Sequence, residues 1–364
     1  MRSRVIGVFS YKLMADFAKP IFNGRTYDNP SSFTNWSGLP NLMDILRWKF
    51  REPDYSKLPS AEELDTTLPV QTAKFNLESQ LSATWLGHAT VFVHLDGVNF
   101  ITDPVWASRA SPFRLFGPRR YRPPPCQIND LPQLNFAVIS HNHYDHFDSM
   151  AVRLISKQFT DMEWFVPMGM KQWFDKYLDT TNPVTEMTWG DKVIREYNGQ
   201  TFEIWCVPAQ HWSQRLAFDR NKALWCGFAI IGPNHRFYYV RDTGFCNEEF
   251  LKIGNSLGPF DLAAIPIGCY LPRWFMKSQH INPKEAVEIH TLSKAKLSLA
   301  LHWGTYEMGS NEHYLDPPKR LRKALKEKGL SSDEFIILNH GTCFSVEDPI
   351  ISKSEYSDLS DTSS

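Results

Sequence analysis

The chain has no run of apolar residues approaching the roughly 18 that a membrane-spanning helix requires. Its N-terminal Val5 to Phe9 stretch is cut off by Lys12, with no small-residue cleavage site after it, so the sequence predicts a protein that is soluble or peripherally attached and not secreted. Charge of one sign is also lacking. A formal net charge of -1 gives no global field of the kind nucleic-acid binding relies on, and no nucleic acid is expected as a partner. The six cysteines, Cys126, Cys206, Cys226, Cys246, Cys269 and Cys343, are scattered without a C-x-x-C pair. They read as free thiols in a reducing, intracellular compartment, with Cys206 and Cys226 as small core residues. No glycine-rich phosphate loop and no Ser-His-Asp arrangement is found. Apolar area, by contrast, is plentiful: 42% hydrophobic and 14% aromatic residues supply a large core and leave rings to line a pocket or meet lipid.

Residues 1–80 mix aromatic and polar residues around Pro20, Pro30, Pro40, Pro53, Pro59 and Pro69 with little sustained period, and are expected to form an extension wrapped on the core. Its start, Arg2, Arg4 and Lys12 around Val5, Ile6, Val8 and Phe9, suits anionic lipid as well as it suits solvent or packing. From Thr90 the pattern becomes strand-like. Val91 to Leu95 and Val98 to Thr102 flank Asp96-Gly97, a favoured hairpin turn. Further apolar runs follow at Phe136 to Ser140, Phe202 to Val207, Leu224 to Ile231, Phe237 to Val240, Leu262 to Ile267, Leu297 to Leu301 and Phe335 to Leu338. Several are continuous, as strands covered on both faces are. Helices are predicted after Asp148, after Asn282-Pro283-Lys284-Glu285 with its N-cap, first-turn proline and capping-box glutamate, and over Pro318 to Lys328, closed by Gly329. The fold class is α/β, and an αββα four-layer sandwich fits the order of elements. Residues 81–346 would form the catalytic domain, and the acidic, serine-rich residues 347–364 a disordered tail.

The run Ile139-Ser140-His141-Asn142-His143-Tyr144-Asp145-His146 places four potential metal ligands in six positions directly after a buried-strand pattern. The turn after such a strand points His141 and His143 at one ion while Asp145 and His146 face a second. Three further strand ends present the same residue types: His211 after Phe202 to Val207, Asp242 after Phe237 to Val240, and His302 after Leu297 to Leu301. Any of these three alone is more often an ordinary structural residue. The tight cluster is not, because three imidazoles and a carboxylate so close together repel whenever the imidazoles protonate and no ion is shared. The expected arrangement is His141, His143 and His211 on one ion, Asp145, His146 and His302 on the other, and Asp242 bridging. Nitrogen and oxygen donors without cysteine suit Zn²⁺. Asp103, after Phe100 to Thr102, is expected to orient a ligand imidazole, and His88 to act in the turn or behind a ligand. His94, His235 and His313 are read as surface or packing residues.

Two divalent ions about 3.5 to 4 Å apart hold a bridging water, lower its pKa toward about 7, and clamp the attacking and leaving oxygens of an in-line displacement. A phosphodiester or a strained acyl bond would then be attacked by the bridging hydroxide, which the catalytic residues Asp145 and Asp242 keep aligned.

At these residues the sequence resembles the metallo-β-lactamase superfamily and, more narrowly, the N-acylphosphatidylethanolamine-hydrolysing phospholipase D family. The narrower match rests on Thr84-Trp85-Leu86-Gly87-His88-Ala89-Thr90, Leu131-Pro132, Ser140 to His146, Gln210-His211-Trp212, Asp242-Thr243-Gly244, Gly258 to Gly268, Pro272-Arg273-Trp274-Phe275-Met276-Lys277 and His302-Trp303-Gly304-Thr305. The resemblance implies an αβ/βα sandwich with two zinc ions and the seven ligands named above. It also implies hydrolysis of the membrane phospholipid N-acylphosphatidylethanolamine to N-acylethanolamine and phosphatidic acid, peripheral attachment to the cytosolic face of membranes, and a homodimer. Tyr144 and His280 match family residues that contact the substrate. The Arg273 to Lys277 segment, rings flanked by cations, suits an interfacial anchor as well as it suits ordinary packing.

The sequence departs from the family at Val240-Arg241-Asp242, where a small residue is usual before the bridging aspartate; the guanidinium is expected to compete for that carboxylate or crowd the second ion. Two other functions remain open at this point. One is the same metal chemistry on a small soluble ester, lactone or phosphodiester. The other is a catalytically weakened lipid-binding protein, for which Arg241 is the one hint and against which all seven ligands stand.

Overall fold

A computed structural model describes residues 16–113, 115–177, 181–307 and 309–347. The basic N-terminal stretch and nearly all of the acidic tail lie outside the described residues. The chain opens with a small hairpin, β1 (Ile21–Phe22) and β2 (Tyr27–Asp28), and two short helices, α1 (Leu42–Arg51) and α2 (Ala61–Thr67). A first block holds β3 (Leu81–Gly87), β4 (Thr90–Leu95), β5 (Val98–Thr102), β6 (Phe136–Val138), α3 (Ser149–Gln158), β7 (Glu163–Pro167), α4 (Lys171–Tyr177) and β8 (Val184–Met187). A second holds β9 (Lys192–Tyr197), β10 (Gln200–Val207), β11 (Gly227–Ile231), β12 (Arg236–Tyr239), α5 (Asn247–Ser256), β13 (Phe260–Pro266), α6 (Arg273–Met276), α7 (Pro283–Leu292), β14 (Ala295–Leu301), α8 (Asp316–Lys328) and β15 (Phe335–Ile336). Strand β16 (Cys343–Ser345) returns to the first block.

The blocks form two seven-stranded sheets, ordered β16-β3-β4-β5-β6-β7-β8 and β15-β14-β13-β12-β11-β10-β9. The first sheet is parallel from β5 to β8 and the second from β12 to β15, and the remaining pairings are antiparallel. Period-two alternation then sorts the side chains. In β4, Val91, Val93 and Leu95 enter the core between the sheets while Phe92 faces outward; in β6 and β7, Phe136, Val138 and Phe165 point in while Ala137, Trp164 and Val166 point out. Both faces are apolar because both are covered. Val152 and Ile155 of α3 and Trp173 and Phe174 of α4 cover the first sheet. Phe250 and Ile253 of α5, Ala286, Val287 and Ile289 of α7, and Leu321 and Leu325 of α8 belong to the core of the second. The result is the αββα sandwich expected from the sequence. Phe17, Phe33, Leu64 and Leu68 of the N-terminal segment join the same core. No helix among the described residues is long and apolar enough to cross a membrane.

Because β5 and β6 run parallel, and β10, β12 and β14 share one direction through their pairings, the C-terminal ends of these five strands meet at one rim. The backbone there is unusual. His88, Asp103, Arg241, Cys269 and His302 all take positive φ, between 33° and 69°, a region that costs non-glycine residues energy and recurs where function over-determines the chain. At Gly268 a Cβ would lie 2.1 Å from the His302 carbonyl oxygen, so only glycine lets the end of β13 approach the end of β14 this closely.

Candidate metal centre

The turn after β6 closes by hydrogen bonds from the His146 and Phe147 amides to the His143 carbonyl, at 3.1 and 2.8 Å, and buried Phe147 anchors it beneath the helices. The Arg215 guanidinium braces it from outside, donating to the Asn142 and Phe147 carbonyls at 3.3 and 2.7 Å and stacking 4.0 Å over the Tyr144 ring. The structure brings all seven predicted ligand residues together. The donor atoms of His141, His143 and His211 lie within 4.8 Å of one another, as do those of Asp145, His146 and His302, a group that also takes in His88. Asp242 stands between the two sets: its Oδ1 is 2.9 Å from His302 Nε2, and its Oδ2 is 3.2 Å from His146 Nε2 and 3.8 Å from His211 Nε2.

The partners on the far side of each ring fix its tautomer. His146 Nδ1 donates to Asp103 Oδ2 at 2.6 Å, and His211 Nδ1 donates to the Gln279 carbonyl at 2.9 Å. His141 Nδ1 meets the Ser140 hydroxyl at 2.8 Å, and that hydroxyl in turn donates to Asp103. The opposite nitrogens therefore carry lone pairs into the shared space. His211 Nε2 has no hydrogen-bond partner although it is buried, and His141 Nε2 faces His143 Nδ1 at 2.8 Å. The unpartnered His211 Nε2, together with imidazole nitrogens and carboxylate oxygens grouped at these separations, fits divalent cations. Asp103 thus stands where the sequence placed it, behind a ligand imidazole. His88 does too: its Nε2 donates to Asp145 Oδ2 at 2.9 Å from the β3–β4 turn. His94 and His235 pair with Asn99 and Asp96, and His313 lies against Tyr314, all apart from the cluster.

Electrostatics divide the two sets. Burial drives His141 and His211 well below the usual imidazole value and His143 to about 4, which leaves three neutral donors. In the other set burial is outweighed. Asp242 and Asp145 hold His146 well above its ordinary value and raise His302 to about 9, while His302 and His146 hold Asp242 well below the carboxylate range.

The centre opens into a pocket of about 330 Å³ whose walls include Trp48, Tyr144, Trp212, Phe275, Met276 and His280. Tyr144 and His280 both face it, and His280 Nδ1 is 3.9 Å from Asp242 Oδ2. The Arg273 to Lys277 segment, open between anchor and packing from its sequence, divides: Phe275 and Met276 of α6 are buried, with Phe275 4.7 Å from the Trp48 ring, while Trp274 and Lys277 are exposed and Trp274 donates to Glu52. One expectation needs correcting: Arg241 does not compete for the bridging carboxylate by hydrogen bonding, since none of its three guanidinium nitrogens has a hydrogen-bond partner among the described residues. Ser140, Tyr239, Gln279 and Arg215 support the centre without any signal in the sequence, because each acts across a contact between distant strands or loops.

This fold, with histidine and aspartate clusters that suit a divalent metal, defines a metal-dependent hydrolase of the β-lactamase superfamily, and the profile described as "Beta-lactamase superfamily domain" matches residues 98–303. A metallo hydrolase from the archaeon Ignicoccus hospitalis shares the fold at a TM-score of 0.54 and 19% identity, over 72% of this chain and 97% of that one. The chain is 52% identical, over 92% of its length and 96% of the relative's, to the "N-acyl-phosphatidylethanolamine-hydrolyzing phospholipase D 1" of Caenorhabditis elegans. It is 33% identical, over 78% of its length and 59% of the relative's, to the mitochondrial N-acyl-phosphatidylethanolamine-hydrolyzing phospholipase D of Saccharomyces cerevisiae. The chain belongs to the N-acyl-phosphatidylethanolamine-hydrolysing phospholipase D family, as the sequence motifs led us to expect.

Proposed function

We propose that the protein hydrolyses N-acylphosphatidylethanolamine to N-acylethanolamine and phosphatidic acid at a two-zinc centre. The observation that carries this is the position of Asp242, within 4 Å of imidazoles from both donor sets at the floor of a pocket with aromatic and methionine walls. His141, His143 and His211 would hold one ion, Asp145, His146 and His302 the other, and Asp242 both. Two divalent ions, when bound, acidify a water between them and offset charge on the phosphoryl oxygens. The chain's own residues do the rest. Asp103 and Gln279 keep His146 and His211 in the tautomer that presents Nε2, and His88 fixes the Asp145 carboxylate. Tyr144 and His280 would contact the phosphate end of the lipid, while Trp48, Phe275 and Met276 receive its apolar part and exclude water. We treat residues 1–80 as an extension on a catalytic domain of residues 81–346, with 347–364 as a tail.

Lipid product analysis tests the reading. With N-acylphosphatidylethanolamine in mixed micelles, the intact protein should release both products, and Asp145→Asn, which loses a charged ligand, should release them about a hundredfold more slowly or worse. Hydrolysis of water-soluble diesters with none of the lipid would transfer the proposal to a small soluble substrate; two bound zinc ions without turnover would favour a lipid-binding protein.

Peripheral membrane contact belongs to the same proposal. Helix α1, capped by Asn41 in a box with Asp44, buries none of its residues. It exposes Leu42, Met43, Leu46 and Phe50, the last at 81%, beside Arg47, Lys49 and Arg51. Its Trp48 alone turns in, to the pocket wall. Leu115 at 78% and Phe218 at 88% exposure project from two other loops whose neighbours Pro118 and Gln214 also line the pocket. Apolar side chains on three segments around one mouth, with cations beside them, suit an anionic bilayer surface. Replacing Leu46 and Phe50 by serine should lower sedimentation with anionic vesicles at least tenfold, since burying each side chain fully is worth about 1.5 to 3 kcal/mol, while leaving hydrolysis of a short-chain soluble analogue intact; unchanged sedimentation would remove α1 from the membrane contact. The free thiols accord with the cytosolic face. The homodimer rests on family resemblance, and molar mass in solution decides it.

A further inference from the structure

Of the described residues that line the pocket, Trp48 alone precedes β3. Helix α1, which carries it, buries none of its residues and so adds little to the core. What the helix delivers is this one half-buried indole. The ring packs against buried Cys269, Phe275 and Met276, with its centroid 4.7 Å from that of Phe275, and the Lys49 ammonium stands 4.0 Å over it. Its Nε1 donates to Asn311 Oδ1 at 2.6 Å. Asn311 is held in turn by the chain that follows α1: its Nδ2 donates to the Pro53 carbonyl and its own carbonyl accepts from the Tyr55 amide, both at 2.9 Å. The next residue, Glu312, is buried and accepts from the amides of Cys269, Tyr270 and Leu271, which fixes the turn leading into α6. The indole, its hydrogen-bond partner and the apolar wall beside it are therefore one pinned unit. With its single polar group spent on Asn311, the indole offers the pocket carbon alone. A charged or hydrated group loses water against such a surface and gains nothing, whereas a hydrocarbon chain gains in proportion to the area it buries.

We propose that Trp48 is the specificity-determining residue through which the N-terminal segment selects a substrate bearing a long acyl chain over a small soluble phosphodiester, the chain lying against the indole. The inference deepens the lipid-hydrolase reading above and rests on it. Binding energy gained so far from the bond that breaks can also be realised as turnover, so chain length should act on kcat as well as on KM. The amide-linked and glycerol-linked chains share the same chemistry, and the substrates of the test tell them apart.

The test uses the zinc-loaded full chain and N-acylphosphatidylethanolamines short enough to dissolve as monomers, so that vesicle binding by α1 plays no part. One series lengthens the amide-linked chain and another the glycerol-linked chains; bis(p-nitrophenyl) phosphate serves as the small diester. In the intact protein kcat/KM should rise with length in the series whose chain meets the indole. Trp48→Ala should flatten that rise and lower the ratio of kcat/KM for the longest member to that for the small diester by about tenfold or more, as loss of contact with a large apolar side chain does. Trp48→Phe, which keeps an apolar ring without the bond to Asn311, should retain most of the ratio, and zinc content measured on each protein shows whether the metal centre is intact. A Trp48→Ala protein with the same length dependence as the intact chain overturns the proposal. So does a phenylalanine variant as unselective as the alanine one, because the indole would then act through Asn311 and not as a wall. Absence of any rise with length in the intact protein overturns it even if no variant folds. An intact protein that cleaves the small diester and none of the lipids would instead overturn the lipid-hydrolase reading, and this inference with it.

Discussion

An Asp242→Asn protein should hydrolyse N-acylphosphatidylethanolamine about a thousandfold more slowly than the unaltered chain, an effect equal to about 4 kcal/mol, and should lose zinc at both sites. Asp242 is 2% exposed and its two oxygens reach His302, His146 and His211. An amide in its place keeps one oxygen but turns an NH2 toward one of the donor sets, where inward lone pairs would have to face a cation without the negative charge that offsets it. It also removes the charge that, against burial, keeps His146 and His302 basic. The two readouts separate the causes. If saturating zinc restores metal content but not turnover, Asp242 acts on the reacting atoms; if both return together, its role is metal retention. Activity within a factor of ten of the unaltered protein, at sub-stoichiometric zinc, would sink the bridging assignment.

Much of the fold was legible because short-range rules and long-range packing agree. Asp96 and Gly97 take φ of 49° and 83°, as a two-residue hairpin demands, and the flanking strands fall within one residue of the predicted limits. Asp148 caps α3 through the Met150 and Ala151 amides, and Asn282 and Glu285 form the capping box that opens α7. Helix α8 starts at Asp316, two residues before the predicted Pro318, because Pro317 and Pro318 both sit in the first turn, where no amide is needed. Elsewhere tertiary contacts override the pattern. The run from Leu224 reads as one strand, but Leu224 and Cys226 give their amides to Met168 and Ser140 of the other block, so β11 begins only at Gly227. Strands β8 and β9 escape notice because their residues are at best half-buried apart from Met187, and their sequences, Val184-Thr185-Glu186-Met187 and Lys192-Val193-Ile194-Arg195-Glu196-Tyr197, do not alternate apolar with polar. Helix α1 escapes for another reason: it buries none of its residues, and Trp48 is the one large side chain it turns toward the core, leaving its Asn41 and Asp44 cap as the local cue.

The metal cluster was legible for a different reason, since donor chemistry confines ligands to a few residue types and strand ends are where a sheet presents them. What holds the ligands was mostly hidden. Tyr239 and Asp103 lie 136 positions apart yet share a hydrogen bond, and His211 and Gln279 are joined across 68. No local pattern encodes such pairs, because each is fixed by the register of the sheets and the path of the loops.

Asp103 concentrates that hidden support, and its replacement should have the second-largest effect. Its carboxylate is fully buried and accepts four hydrogen bonds, from the Ser140 amide at 2.7 Å, from His146 Nδ1 at 2.6 Å, and from the Ser140 and Tyr239 hydroxyls. Asparagine has the same shape but only one acceptor oxygen. With its NH2 at the Oδ2 position, three donors face a donor; flipped, the Ser140 amide does. Each orphaned buried donor costs about 1 to 3 kcal/mol, and loss of the outer carboxylate should weaken zinc about 10- to 100-fold through His146. Asp103→Asn should therefore unfold at lower urea and release zinc more readily. Tyr239→Phe removes one of the competing donors, so combining it with Asp103→Asn should cost less stability than the sum of the single changes. The zinc loss should persist in the double variant, because the His146 tautomer stays unsupported. An Asp103→Asn protein with unaltered zinc affinity would show that the ring is held by packing, and Asp103 would then be a purely structural carboxylate.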